Sequence, residues 1–128
     1  MILTYRETKD FFYHLSSAKI IVDNGVSTAV LKYLKKKDQI LIETWHGSLG
    51  IKKFSKDTVN DKNWVRHAII EGKMTDYIIS NSDFEDDVYR EDYWKTTPIL
   101  KLGHARNDIL CEKGTDRLKE LRAKIYKT

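Results

Sequence analysis

Three groups of residues in this chain have side chains that could carry out chemistry. The first is Thr44-Trp45-His46-Gly47-Ser48, which follows an apolar run and precedes two lysines, Lys52 and Lys53. An imidazole titrates near neutral pH and can take a proton from an attacking hydroxyl. His46 is therefore a candidate general base, and the alternative is a loop histidine that is hydrogen-bonded to the backbone. For Trp45, a place in the core or in the wall of a site is the simpler prediction.

The other two groups are Ser80-Asn81-Ser82 and Gly103-His104-Ala105-Arg106-Asn107-Asp108. Arg106 has two open interpretations, because a guanidinium can bind a phosphate or can fix its own loop by pairing with a carboxylate. Serine hydrolase chemistry is not indicated, since Ser48 lacks a nucleophile-elbow context. The sequence also shows no P-loop and no histidine spacing typical of a metal site.

Composition limits the class of protein further. The net charge of +4 favours anionic partners, and Cys111 is the only cysteine, so neither an intrachain disulfide nor a cysteine-ligated metal site is expected. No apolar run approaches the roughly 20 residues that span a bilayer, and Met1 to Asp10 is too charged for a signal peptide. We expect a protein of the reducing cytosol whose membrane contact is peripheral.

Four short apolar runs predict the strands that must position these groups, and helical patterns lie between them. The predicted strands are Lys19–Val22, Ile40–Ile42, Tyr77–Ile79 and Pro98–Leu102. The predicted helices are Thr8–Ser16, one capped by Ser27, one beginning near Ile51, Asp61–Glu71, one capped by Ser82, a turn at Ile109–Cys111, and a final helix carrying Leu118, Leu121 and Ile125. This alternation indicates an α/β domain with a mainly parallel sheet.

Local signals make three of these helical predictions specific. Thr4 to Glu7 fits a capping box, and Phe11, Phe12 and Leu15 of the first helix are expected in the core. Gly72 is the expected end of the helix that starts at Asp61. Ser82-Asp83-Phe84-Glu85 fits a second capping box, for a helix with Phe84 and Val88 on its apolar face.

In a parallel sheet, the segments that follow the strands emerge at one edge, where ligands usually bind. We therefore expect the loops after the four strands to form a single site. Its rim would carry His46, Ser48, Ser80, Ser82, His104 and Arg106. A helix starting near Ile51 would add unpaired N–H groups that favour an anion such as a phosphate.

The order and spacing of three motifs resemble a known family. The motifs are Thr44-Trp45-His46-Gly47-Ser48 with Lys52-Lys53, then Asp76-Tyr77-Ile78-Ile79-Ser80-Asn81-Ser82, and then Gly103-His104-Ala105-Arg106-Asn107-Asp108-Ile109-Leu110. Together they resemble the CDP-glycerol glycerophosphotransferase family of bacterial teichoic acid synthesis. The resemblance covers roughly Ile20 to Leu110.

The resemblance implies a Rossmann-like domain forming one half of a GT-B transferase. Such enzymes transfer glycerol phosphate from CDP-glycerol to a hydroxyl of a membrane-anchored acceptor and release CMP, and no cofactor or metal is expected. His46 would match the family's proposed general base. The predicted substrate-binding residues are Trp45, Gly47, Ser48, Lys52, Ser80, Ser82, Gly103, Arg106, Asn107 and Asp108.

This chain departs from the family pattern in three ways. Leu49 and Ala105 stand where the family usually has proline, so both loops lose a rigid φ. The chain also ends before the second domain, which supplies most of the nucleotide site in this family. We expect a single Rossmann-like domain over 1–128, with an acceptor-side core over about 1–110 and a C-terminal helix over 111–128 that leads towards the missing domain, and we expect the isolated chain to be inactive.

Two further hypotheses remain open. The chain could be a non-catalytic, truncated paralogue that binds a polyanionic polymer, lipid phosphate or a partner domain, and its exposed junction surface predicts self-association or pairing with a separate half. A basic nucleic-acid binder is the weakest hypothesis, and we expect no nucleic-acid partner. The expected location is the cytoplasm, peripherally at the inner face of the cell membrane.

Overall fold

A four-stranded parallel sheet forms the centre of the molecule. The computed structural model describes residues 4–26, 29, 33, 35–46, 61–108 and 116–126. Its strands are β1 (Ile20–Asp23), β2 (Ile40–Glu43), β3 (Tyr77–Ser80) and β4 (Ile99–Lys101), and they lie in the order β1-β2-β3-β4. All neighbouring strands are parallel, which confirms the predicted α/β class.

Four helices and one short 3₁₀ helix are described around this sheet. The α-helices are α1 (Lys9–Ser17), α2 (Lys62–Met74), α3 (Asp83–Glu91) and α4 (Asp116–Tyr126), and the 3₁₀ helix is Ala105–Asn107. The predicted helices at Ser27 and Ile51 and the turn at Ile109–Cys111 lie wholly or largely outside the described residues.

The helix starts show which local signals were interpreted correctly. Ser82 caps α3 as predicted, since its Oγ accepts the N–H of Glu85. The capping box at Thr4 to Glu7 was wrong: the N-cap of α1 is Thr8, whose Oγ1 accepts the N–H of Phe11. Thr8 can replace the proposed cap because it lies directly before the first helical residue.

The apolar stripes of two helices are less buried than the sequence indicated. Helix α1 has no buried residue, and Phe12 is 37% exposed, so its aromatics do not form the core. In α3, Phe84 is 57% exposed, whereas Glu85 and Tyr89 are buried. The side of α3 that packs inward is therefore displaced by one residue from the predicted stripe.

Gly72 does not end the helix that Asp61 caps, because α2 continues to Met74. A Cβ placed on Gly72 would lie 2.4 Å from the carbonyl oxygen of Tyr93. Because Gly72 has no side chain, α2 can pack closely against the segment after α3. This long-range contact has no signature in the sequence around Gly72.

The two faces of the sheet differ in how well they are covered. Ile21, Leu41 and Ile78 alternate onto a buried face, whereas Val22 is 65% exposed and Ile20 is 56% exposed on the opposite face. Right-handed crossovers between sequential neighbours place their connecting helices on one side of a sheet. The strand order therefore accounts for one covered face and one open face.

The core lies between the covered face and α3. Ile78, Tyr89 and Trp94 are fully buried and pack together, and Trp45, Tyr93 and Ile99 pack against them. Tyr89 and Trp94 contact edge to face, with ring centroids 5.7 Å apart. Because Trp45 comes from the first motif, the candidate site is attached directly to the core.

Candidate functional site

A cleft of about 580 Å³ opens at the carboxyl edge of the sheet, where a parallel sheet usually binds its ligands. Its walls come from the segments after β1, β2 and β4 and from one residue of β3. The lining residues are Asn24, Thr44, Trp45, His46, Ile79, Leu102, Gly103, His104, Ala105 and Asp108. The predicted convergence of the strand-end loops is therefore found for three of the four loops.

The predicted site residues divide into four sets, of which the last, Ser80 and Ser82, lies at and just after the end of β3. Those that line the cleft are Trp45, His46, Gly103 and Asp108. Arg106 and Asn107 belong to the adjacent 3₁₀ helix, in which the N–H of Asn107 donates to the carbonyl of His104. Gly47, Ser48 and Lys52 lie outside the described residues.

The loop after β3 is the exception to the predicted convergence. Ser80 is fully buried, and its Oγ donates to the carboxylate of Asp86. Ser82 is occupied as the N-cap of α3. Neither serine lines the cleft, because both serve the packing and capping of the helix that follows β3.

His46 is held at the mouth of the cleft by two contacts. Its Nδ1 donates to the carbonyl oxygen of Asn24 at 2.8 Å, and its ring lies against that of Trp45 with centroids 4.3 Å apart. In a neutral imidazole with a proton on Nδ1, Nε2 is the acceptor. The His46–Asn24 hydrogen bond therefore selects the tautomer in which Nε2 can accept a proton.

Trp45 adopts an unusual backbone conformation, with φ at +52°. Such a φ is uncommon for a residue with a bulky side chain, so surrounding contacts must stabilise it. The Oε1 atom of Glu43 accepts the N–H of Trp45 at 2.6 Å, and the indole packs edge to face on Trp94 at 5.6 Å. Trp45 is thus a wall residue fixed on the core, as the simpler sequence interpretation proposed.

His104 forms the opposite wall and is almost fully buried. Its Nε2 lies 3.3 Å from Oε1 of Glu85, and the other carboxylate oxygen of Glu85 accepts the N–H of Asn81 at 2.9 Å. Gly103, beside it, has φ at +77°, a conformation that favours glycine.

A charged cluster joins the end of β4 to the start of α3. Lys101 bonds to the carboxylates of Asp83 and Asp86, and Ser80 donates to Asp86. Burial alone would raise the pKa of Asp86, but the hydrogen bonds from Ser80 and Lys101 outweigh it and lower that pKa. The same two aspartates raise the pKa of Lys101. This cluster fixes the α3 start relative to the cleft.

Three carboxylic acids that the sequence analysis did not single out meet just below the cleft. Asp23 and Glu43 are paired at the ends of β1 and β2, and Glu71 projects from α2. One carboxylate oxygen from each lies within 4.8 Å of the other two. The available signal in the sequence was that both strands end in an acid directly before a candidate loop. Its meeting with Glu71 depends on tertiary packing.

Burial changes the chemistry of this group of acids. Glu43 and Glu71 are fully buried. Desolvation, with further contributions from the charges of Asp23 and Glu71, raises the pKa of Glu43 to about 9. Glu43 is therefore uncharged at neutral pH. The close oxygens could equally surround a cation, and this is the one such group of His, Cys, Asp and Glu side chains in the described part of the chain.

None of the described helices is both long enough and apolar enough to cross a membrane.

Comparison with known proteins connects this cleft to a family. A family profile described as CDP-Glycerol:Poly(glycerophosphate) glycerophosphotransferase matches residues 2–126. A teichoic acid poly(glycerol phosphate) polymerase of Staphylococcus epidermidis is 27% identical over 94% of this chain, and one of Bacillus spizizenii is 24% identical over 81% of it. The matches cover 18% and 27% of those two proteins.

A solved structure of the wall teichoic acid polymerase TagF, as a histidine-to-alanine variant, shares this fold. The TM-score is 0.80 at 27% identity, and the match covers 94% of this chain and 31% of that one. The chain therefore spans less than a third of the length of each of these relatives. The fold, the cleft at the sheet edge and the profile match over nearly all of its residues agree: the chain belongs to the CDP-glycerol:poly(glycerophosphate) glycerophosphotransferase family.

Proposed function

We propose that this chain is the acceptor-side part of a transferase that moves glycerol phosphate from CDP-glycerol to a hydroxyl of a poly(glycerol phosphate) chain or its lipid-linked primer. The family match over residues 2–126 supports the reaction class. Since the matches cover less than a third of these relatives, we propose that most of the donor site is formed by residues outside the matched region.

His46 is the proposed general base. The acceptor hydroxyl attacks the glycerol-bearing phosphorus, a new phosphorus–oxygen bond forms, and the bond to CMP breaks. His46 Nε2 takes the proton of the attacking hydroxyl, since Nδ1 already donates to Asn24. Charge on the transferred phosphoryl group would be stabilised by backbone N–H groups and by cationic side chains such as Lys52 and Arg106.

One observation carries this assignment. The Nδ1 hydrogen bond to a main-chain carbonyl fixes the tautomer of an exposed histidine that lines the cleft. A loop histidine with only a structural role would need the same bond, but it would not need to line a cavity. Trp45, Gly103 and Asp108 complete the described part of the proposed acceptor site. We also propose substrate binding by Gly47, Ser48 and Asn107, which are next to these residues in the sequence.

The reaction is tested with CDP-glycerol and a lipid-linked glycerol phosphate primer, by measuring CMP release from the chain alone and from the chain mixed with the remaining part of a family member. We expect release only from the mixture, and a drop of at least about 100-fold with His46→Ala. His14→Ala is the control, because His14 is exposed on α1 and does not line the cleft. Release that persists in His46→Ala would remove His46 from the mechanism.

A second candidate is a binding domain without turnover. The cleft favours it, because its described lining belongs to this one domain and could hold an acceptor polymer by itself. Titration with glycerol phosphate oligomers and with an oligonucleotide of equal charge separates the possibilities. We expect binding of the oligomer that weakens with His46→Ala, and no binding of the oligonucleotide beyond a salt-sensitive background.

The same proposal includes a location and further partners. A lipid-linked acceptor would place the protein in the cytoplasm, peripherally at the inner face of the membrane, where its net charge of +4 suits anionic lipid. It would also self-associate or pair with a separately encoded half. Sedimentation velocity of the chain, alone and with the rest of a family member, measures this, and a strictly monomeric chain in both cases would contradict it.

A further inference from the structure

The group formed by Asp23, Glu43 and Glu71, here called the carboxyl cluster, sits directly behind the segments that hold His46. Asp23 Oδ1 accepts the N–H of Asn24 at 2.8 Å, and Asn24 in turn supplies the carbonyl that binds His46 Nδ1. Glu43 Oε1 accepts the N–H of the residue before His46. Asp23 thus fixes Asn24, the hydrogen-bond partner of His46, and Glu43 fixes Trp45, the residue before His46.

The third member ties the cluster to the helical layer. Glu71 comes from α2, and its Oε2 accepts the N–H of Ala29 at 2.7 Å. Both glutamates are inaccessible to solvent, and Asp23 is 9% exposed. Close carboxylates away from water cannot all keep a negative charge, because like charges repel strongly there.

The Oε2 atom of Glu43 indicates how the repulsion among the three carboxyl groups is avoided. Glu43 Oε2 is buried and has no hydrogen-bond partner among the described residues. An ionised oxygen left in this position would be costly. A proton on Oε2 would make this atom a donor, and one carboxylate oxygen each of Asp23 and Glu71 lies within 4.8 Å of a carboxylate oxygen of Glu43. Oε1 would stay a carbonyl-like acceptor for the N–H of Trp45. One proton therefore gives Oε2 a hydrogen-bonding role and removes one negative charge from the cluster.

We propose that Glu43 is a positioning residue that works as a neutral carboxylic acid, sharing its proton with Asp23 or Glu71 while its Oε1 holds the Trp45–His46 turn in place. Loss of that proton would set three negative charges against each other behind the turn. The Trp45 N–H bond by itself lowers the pKa of Glu43 and favours the charged form, so the turn would be disturbed through this repulsion. The repulsion acts on the side chain that holds Trp45, whose φ is positive and whose ring contacts His46.

Neighbouring charges add to the effect of burial on the pKa of Glu43. Glu43 faces Asp23 on β1 and Glu71 on α2, and both charges raise its pKa in addition to the effect of burial. On α3, burial raises the pKa of Tyr89, and the charges of Glu85, Glu43 and Asp86 raise it further, so Tyr89 stays protonated when Glu43 ionises. Glu43 is thus the group that ionises as the pH approaches about 9.

The role of Glu43 in catalysis rests on the proposed function of His46, whereas the turn itself can be observed without any reaction. The experiment follows the Trp45 amide and the His46 ring by NMR as a function of pH, in the wild type and in Glu43→Gln. Glutamine keeps the shape, accepts at Oε1 and donates from its amide nitrogen, but it cannot ionise. The NMR shifts therefore test the positioning role of Glu43, whereas CMP release tests the proposed transferase function, and either one can fail without the other.

We expect the wild-type Trp45 amide to shift with a midpoint near pH 9 and the Glu43→Gln amide to keep its neutral-pH position throughout. Asp76→Asn is the control, because Asp76 is a carboxylate that binds Leu41 N–H and Lys35 at the other end of the strands. It should leave the Trp45 midpoint unchanged. A Glu43→Gln spectrum that already resembles the high-pH wild type at neutral pH would overturn the proposal, because a neutral acceptor at this position would then not hold the turn.

A divalent cation is the competing occupant of the carboxyl cluster. The same spectra are recorded with Mg²⁺ and with Ca²⁺ at neutral pH, in the wild type and in Glu71→Gln. We expect no shift of the Trp45 amide with either ion. A saturating shift that Glu71→Gln abolishes would make the cluster a cation site and would exclude the shared proton.

Discussion

Single side chains in this protein depend on groups that are distant in sequence. His46 was predicted as a base from its residue type and from the loop around it, and the geometry adds the tautomer through Asn24. The setting of Glu43 was not foreseen, because its partner Glu71 is 28 positions away and appears ordinary within its helix. Residue type indicates which groups can react, but burial decides their ionisation.

Glu43 should make the stability of the fold depend on pH in a defined direction. Its pKa is about 9 in the folded state and 4.5 when exposed, so the folded state binds the proton more tightly. The stability that it contributes is complete below about pH 4.5 and is lost as the pH rises to about 9, at up to about 1.4 kcal/mol per pH unit. Urea unfolding at several pH values measures this change.

The matched variant for this prediction is Glu43→Gln, which has no proton to lose. Its free energy of unfolding should fall less with pH over the same window. If the wild type and Glu43→Gln show parallel pH profiles, the ionisation of Glu43 does not differ between the folded and unfolded states.

Elements in this chain were predictable where their signals are local. The four strands were located within one residue at each end, and Ser82 was identified as a cap because its partner Glu85 is three residues away. The interpretation of Gly72 failed for the opposite reason. A glycine near a helix end resembles a stop signal, but here it admits the backbone of Tyr93.

Replacing Gly72 by alanine should therefore destabilise the protein, although alanine is the better helix former by about 1 kcal/mol. The new Cβ would meet a main-chain oxygen at 2.4 Å, which a side-chain rotation cannot relieve. We expect a net loss of about 1–3 kcal/mol in urea unfolding. Lys73→Ala, one position along the same helix and exposed, is the control and should change stability by less than about 0.5 kcal/mol.

The start of α3 gives a second prediction at this scale. Ser82→Ala removes the acceptor for the Glu85 N–H and should cost about 1 kcal/mol in the free energy of unfolding. Ser82→Asp retains a capping oxygen and should recover most of that loss. If both variants lose equal stability, then the cap contributes through some other property of the serine.

At the scale of the whole molecule, the α/β class and the parallel sheet followed from the alternation of strands and helices. The uneven covering of the sheet did not, because all four strands are short and apolar on both faces. Strand order and crossover handedness determine which face the helices cover, and neither can be predicted from the sequence of one strand or helix alone. The convergence of the loops followed from the parallel sheet, except where Ser80 turned inward.

The open face of the sheet should bind hydrophobic dyes. Replacing Ile20 and Val22 with threonine keeps the β-branched shape but adds hydroxyls to two side chains that are more than half exposed. We expect weaker fluorescence of 8-anilinonaphthalene-1-sulfonate with little change in stability. Tyr13→Ser, on the exposed side of α1, is the control for a lost apolar group elsewhere. Unchanged dye binding in the threonine variant would show that this face does not attract the dye.

The sequential strand order also bears on how the chain is made. Each described strand pairs only with strands adjacent to it along the chain, so the ribosome delivers the strands in the order in which the sheet can grow. β1 and β2 can pair before β3 emerges, and each later strand joins a free edge without entering between strands that are already bonded. Folding during synthesis would thus proceed along the described strands from β1 to β4, and the pairing of β4 would complete the wall that carries His104.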